Sequence, residues 1–108
     1  MFDQDARRLL ESTLTQGETI QYEVEGVDAV LAVTDRRVSI VDGRRVPLDV
    51  PYSQLRRVQF DIERRRQATL VVVPDPPSLP PAVVGIPPEA YEVAAEALAY
   101  VGRRLVAT

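Results

Sequence analysis

Residues 27–50 read VDAVLAVTDRRVSIVDGRRVPLDV, and their period decides the fold. Apolar residues alternate with polar ones or run in short β-branched blocks, broken at Thr34-Asp35-Arg36 and again at Asp42-Gly43. Asp-Gly is the strongest hairpin signal in the chain, because glycine accepts the positive φ of a tight turn. Strands are therefore expected over about 27–34, 37–41 and 45–50, joined by turns too short to hold a crossover helix. That excludes a parallel βαβ sheet. Pro47 removes one ladder donor, which places the last of these strands at an edge or makes it irregular.

The same alternation extends both ways. Upstream, Ile20, Tyr22 and Val24 share one face of a strand over about 18–25. Before it, Ala6, Leu9, Leu10, Thr13 and Leu14 have helical spacing, and Asp3 is a fair cap, so a helix is expected over about 3–14. Downstream, Leu55, Val58, Phe60 and Ile62 supply the apolar side of a strand over about 55–63. Arg64-Arg65-Arg66-Gln67 turns into another over about 68–73. Its unbroken Leu70-Val71-Val72-Val73 run predicts burial on both sides, or burial on one side and a partner on the other. Seven of the nine prolines lie between Pro74 and Pro88, which makes 74–81 a stiff loop before a short strand over about 82–86. Pro87-Pro88-Glu89 then opens a helix over about 88–106, with proline and acid where a helix start favours them. The order is helix, seven antiparallel strands, helix: a mainly β barrel or sandwich with one mouth plugged.

At 108 residues and 12.0 kDa, the chain 1–108 reads as a single domain. Hydrophobic residues at 45% and charged residues at 27% are ordinary for a globular protein and argue against disorder. Cysteine and histidine are both absent. That removes a disulfide framework, the usual metal ligands, the usual general base and every Ser-His or Cys-His arrangement. The expectation is a protein that is not an enzyme and takes no metal or cofactor. A net charge of −3 argues against nucleic acid as a partner, since such binding is driven by neutralising phosphates. No run of about 18 apolar residues could span a membrane. Met1-Phe2-Asp3-Gln4-Asp5 is acidic where a signal peptide needs positive charge, so a cytoplasmic location is expected.

Three segments, in order, resemble one family. Leu14-x-x-Gly17-Glu18-x-Ile20, Ala32-Val33-Thr34-Asp35-Arg36-Arg37-Val38 and Val50-Pro51-Tyr52-x-x-Leu55-x-x-Val58 look like the bacterial pleckstrin-homology-like proteins, relatives of the GRAM domain. The resemblance implies a split barrel of seven antiparallel strands in two orthogonal sheets, capped by the C-terminal helix. It also implies a binding or assembly module without catalysis, in several members a homo-oligomer. Gly17, Glu18, Thr34, Asp35, Arg36, Arg37, Pro51 and Tyr52 carry the likeness, and physics gives them structural roles: Thr34 and Asp35 can hold a turn, while Tyr52 can bury its ring and keep its hydroxyl at the surface.

Two surfaces stand out as candidate sites. If the second and fifth turns lie at one end of the barrel, Arg36 joins Arg64, Arg65 and Arg66 in a cluster able to hold an anionic headgroup. The same arginines can instead pair with Asp35, Asp61 and Glu63 and only solubilise the turn. The first hairpin, Glu23-Val24-Glu25-Gly26-Val27-Asp28, is acidic and would repel a phosphate. On the last helix, Tyr91, Ala94, Leu98, Val101 and Leu105 form the stripe expected to plug the barrel. Val93, Ala97 and Tyr100 lie to another side and suggest a contact with a second copy or another protein. The function expected is protein–protein contact, self-association first, with peripheral binding to anionic membrane through the arginine turns as the alternative.

Overall fold

A computed structural model describes residues 4–42, 45–62 and 67–107. Helix α1 (Gln4–Thr13) is followed by β1 (Ile20–Glu25), β2 (Val30–Thr34), β3 (Arg37–Val41) and β4 (Leu48–Pro51), which form one antiparallel sheet in that order. Strands β5 (Leu55–Asp61), β6 (Ala68–Pro74) and β7 (Ala82–Ile86) form a second, and α2 (Tyr91–Ala107) ends the chain. Every strand pairs with its neighbour in sequence except across β4 and β5. There Pro51, extended at φ −69° and ψ 160°, leads into a 3₁₀ turn at Tyr52–Gln54 that carries the chain from one sheet to the other.

The main core lies between the sheets and under α2. Leu31, Val33, Val38, Ile40, Leu70 and Val72 meet there from three strands. The stripe that α2 turns inward is Ala94, Ala97 and Val101, with Ala90 just before the helix and Leu105 at its end. This corrects the expected plug by one position. Leu98 stays half-exposed and Ala97 is buried, because a face of alanines lets the helix axis sit low on the barrel mouth. The rings beside that stripe then reach both walls. Tyr100 meets Tyr22 of β1 edge-on at 5.8 Å between centroids, and Tyr91 meets Phe60 of β5 at 5.6 Å.

The two apolar runs behave differently from one another. Val30 to Thr34 of β2 is buried on both faces, since α1 lies over the outside of the first sheet and Leu10 packs on Ala32 and Val41. Residues 70–73 of β6 instead alternate, with Leu70 and Val72 inward and Val71 and Val73 half-exposed outward. Burial on both sides is thus corrected for β6; the outer face of the second sheet has no helix over it. At the β1–β2 turn, Val27 donates its N–H to the Gly85 carbonyl of β7 at 2.9 Å, tying the two sheets together. Gly26 is required by that contact, because a Cβ there would lie 2.3 Å from Val84 Cγ1 and 2.8 Å from two carbonyl oxygens.

Candidate functional site

The polar residues singled out by the resemblance converge on one node. Thr15-x-x-Glu18 follows α1, and the Glu18 carboxylate folds back to accept the Thr15 N–H at 2.9 Å. Gly17 makes that reversal with φ +81°, a conformation that costs a side chain strain. Arg37, at the start of β3, forks onto the same carboxylate through Nε at 2.9 Å and Nη2 at 2.7 Å. Its Nη1 reaches Asp49 of β4 at 3.0 Å, and Nη2 also donates to the Thr13 carbonyl at the C-terminus of α1, where the helix dipole favours a cation. Thr34 donates to Glu18 Oε2 at 2.6 Å and accepts the N–H groups of Arg36 and Arg37 at 3.0 and 2.9 Å, which closes the β2–β3 turn.

The electrostatics follow from that geometry. The Glu18 side chain is fully buried while Arg37 keeps 17% exposure. The hydrogen bonds from Arg37 outweigh the burial and hold the Glu18 carboxyl at about 2, below its usual 4.5. The guanidinium is raised in turn by the same carboxylate. Beneath the turn, buried Tyr52 donates its hydroxyl to the Thr34 carbonyl at 2.6 Å, and burial pushes that phenol up. Asp35 accepts the Thr19 N–H at 2.9 Å, while Arg104 of α2 donates to the Asp35 carbonyl and stacks 5.4 Å from the Tyr52 ring centre. The node therefore joins α1, the segment between α1 and β1, β2, β3, β4 and α2.

An open cleft of about 380 Å³ beside it is lined by Thr15, Glu18, Arg36, Arg37, Asp49 and Pro51. Its chemistry is that of a clasp. Arg37 is committed to two carboxylates, and exposed Arg36 donates to Thr15 Oγ1 at 2.8 Å. A phosphate entering the cleft would face Glu18 and Asp49 behind a single outward guanidinium. Sequence reading missed Asp49, Ser39 and Thr15. The register pairs Ser39 with Asp49 across β3 and β4, and Ser39 Oγ donates to Asp49 at 3.0 Å. The Thr-x-x-Glu spacing was the available signal for Thr15.

Of the expected anion site, Arg36 alone is among the described residues. Arg64, Arg65 and Arg66 lie outside the described residues, but the strands that flank them are placed. Asp61 pairs with Thr69, and Gln67 lies beside Gly85 and Val27, so β5 and β6 join at the β1–β2 turn end of the barrel. Arg36 is at the other end, where its carbonyl accepts the Tyr52 N–H. A meander that crosses between sheets after β4 sets the described ends of β5 and β6 at the opposite end of the barrel from Arg36. The interface residues expected on α2 pack against the core. Ala97 is 1% exposed, and Val93 and Tyr100 are half-buried against the core.

The exposed large apolar residues are Val27, Ile62, Leu79 and Val83 among those described, none of them on α2. Val83, 61% exposed, lies on the outer face of the second sheet. The pairing Gln59–Val71–Val83 sets these residues in one row across β5, β6 and β7. Along β5, Arg57 Nε donates to Gln59 at 3.0 Å, and Gln59 Nε2 donates to Asp61 at 3.3 Å, forming a polar ladder at one border of the valines. Pro81 and Pro87 bracket β7 and have no N–H to offer, which blunts that edge against strand addition.

No protein-family model matches this sequence, and no curated protein matches it either. Among solved structures, a pleckstrin homology domain from Shewanella amazonensis SB2B is similar, with a TM-score of 0.62 and 18% sequence identity over 92% of this chain and 94% of that one. The chain has a pleckstrin-homology-like fold: seven antiparallel strands in two sheets, with an N-terminal and a C-terminal helix. No helix among the described residues is long and apolar enough to cross a membrane.

Proposed function

We propose that this protein is a non-catalytic binding module that acts by protein–protein contact, self-association first, through the outer face of the β5–β6–β7 sheet. One observation carries the reading: the outside of the first sheet is covered by α1 over β2 and β3, whereas the outside of the second leaves Val83 61% exposed beside half-exposed Val71 and Val73. A β-branched row of this kind is what a sheet presents when something is to pack on it. The pleckstrin-homology-like fold is consistent with a binding module, and the polar node is saturated by internal partners rather than poised to react.

Light scattering after size exclusion, at concentrations up to about 100 μM, tests this. The wild type is expected above monomer mass and a Val83→Glu variant at it, with unchanged melting temperature. A wild type that stays monomeric removes self-association and leaves only an outside protein partner for that face. Binding to anionic membrane through the arginine turns is the alternative, and co-sedimentation with anionic vesicles tests it.

A further inference from the structure

The outer face of the second sheet is self-complementary about its middle row. Three rows cross it: Arg57–Val73, then Gln59–Val71–Val83, then Asp61–Thr69–Gly85. Arg57 and Asp61 are each two residues from Gln59 on the same side of β5. At about 3.3 Å rise per residue they stand about 13 Å apart, one on either side of the middle row. A twofold axis lying along that row, between two stacked sheets, reverses the strands and leaves the row on itself. It sets Val71 over Val71 and Val83 over Val83. It also carries Arg57 of one copy onto Asp61 of the other, and does so twice.

We infer, resting on the self-association reading above, that the protein forms a face-to-face dimer about the Gln59–Val71–Val83 row, closed by reciprocal Arg57–Asp61 pairs. The occupant is a second copy because the face has the charge order its own inverse needs. A partner of one sign would be met by an arginine at one end of β5 and an aspartate at the other. Stacked sheets pack about 10 Å apart, within which the arginine side chain spans to a carboxylate. The patch is small beside the roughly 800 Å² per partner of a standard interface, so the dimer is a weak one, and like charges placed across it act strongly on the equilibrium.

Sedimentation equilibrium of the full chain over about 10–300 μM tests the inference with Arg57→Asp, Asp61→Arg and the double exchange. All three changes are on exposed positions, and a thermal melt of each verifies folding. The expected result is a wild-type dimer, at least tenfold weaker association in each single variant, and recovery in the double exchange, because both pairs are restored with inverted sign. A wild type that is monomeric at about 300 μM overturns this inference together with self-association. A dimer that forms equally well in all four proteins overturns only the twofold arrangement and leaves self-association to another face.

Discussion

Replacing Glu18 by Gln keeps the shape of the side chain and removes its charge, which isolates the ion pair at the centre of the clasp. Five hydrogen bonds end on that carboxylate, from Thr15 N–H, Thr15 Oγ1, Thr34 Oγ1 and the Nε and Nη2 of Arg37. The fall of its pKa from 4.5 to about 2 corresponds, at about 1.36 kcal/mol per unit, to an upper bound of about 3 kcal/mol. The adjoining cleft lets water screen the pair, which reduces the expected contribution to about 2 kcal/mol at neutral pH. For a domain of this size that is a drop in Tm of roughly 8 °C. The pH dependence has a definite sign. A carboxyl whose folded-state pKa is depressed stabilises fully above its unfolded value and loses that contribution as pH falls through the folded value. The gap between wild type and Glu18→Gln should therefore be full above about pH 5 and close towards about pH 2. Urea unfolding followed by circular dichroism at about pH 7, 4 and 2.5, with linear extrapolation, measures it. A gap below about 0.5 kcal/mol at neutral pH, or one that persists unchanged into acid, would refute the clasp as a source of stability.

Four further outcomes are expected. Tyr52→Phe leaves the Thr34 carbonyl without its buried donor and should cost about 1–3 kcal/mol in urea unfolding; the same change should leave the alkaline phenolate absorbance below about pH 11 untouched, because burial delays that phenol. Gly26→Ala drives a Cβ into Val84 and two carbonyl oxygens and should cost about 2–3 kcal/mol or separate the β1–β2 turn from β7, which hydrogen exchange at Val27 reads directly. Ala97→Leu overpacks the seat of α2 and should lower Tm with no change in oligomeric mass, whereas an interface residue would do the reverse. Co-sedimentation with anionic vesicles at low salt should leave the protein in the supernatant; pelleting that is lost in salt and in an Arg64, Arg65, Arg66→Gln triple variant would restore the membrane reading.

The strand order was legible because period-2 alternation and turn chemistry agree along the whole chain, and each of the seven strands falls within three residues of its expected bounds. The two apolar runs were harder to read. VLAV at 30–33 and LVVV at 70–73 differ only in one alanine for one valine, yet one is buried on both faces under α1 and the other turns Val71 and Val73 outward. Burial of a second face depends on where a helix docks, and nothing local to either strand carries that information. The same limit explains Ala97 and Leu98. Adjacent positions on a helix differ by 100°, and hydrophobicity alone favours the leucine. The low seat that selects the alanine is set by the distance between two sheets.

The arginines show why charge is the least legible part of this sequence. Arg36 and Arg37 are neighbours lining one cleft, but their guanidinium groups take different partners. Arg37 goes to two carboxylates and a helix C-terminus, and Arg36 goes outward to Thr15 Oγ1. A doublet counted as two surface charges is in fact one structural cation and one exposed one. The partners that make the difference, Glu18 and Asp49, lie 19 and 12 residues away and reach Arg37 only through strand pairing and the return of the chain after α1. Arginine clusters read along the chain therefore overstate the free positive surface wherever alternation feeds one member inward. At Arg57 the opposite holds: the side chain stays on the outer face, two residues from Gln59, and its counter-charge at Asp61 is too far along the strand to meet it within one copy. A pair joined only through Gln59 and spaced symmetrically about an exposed valine row would gain most if the row were covered by its own inverse, so the proposed dimer rests on the charge order of β5 while folding rests on that of the β2–β3 turn.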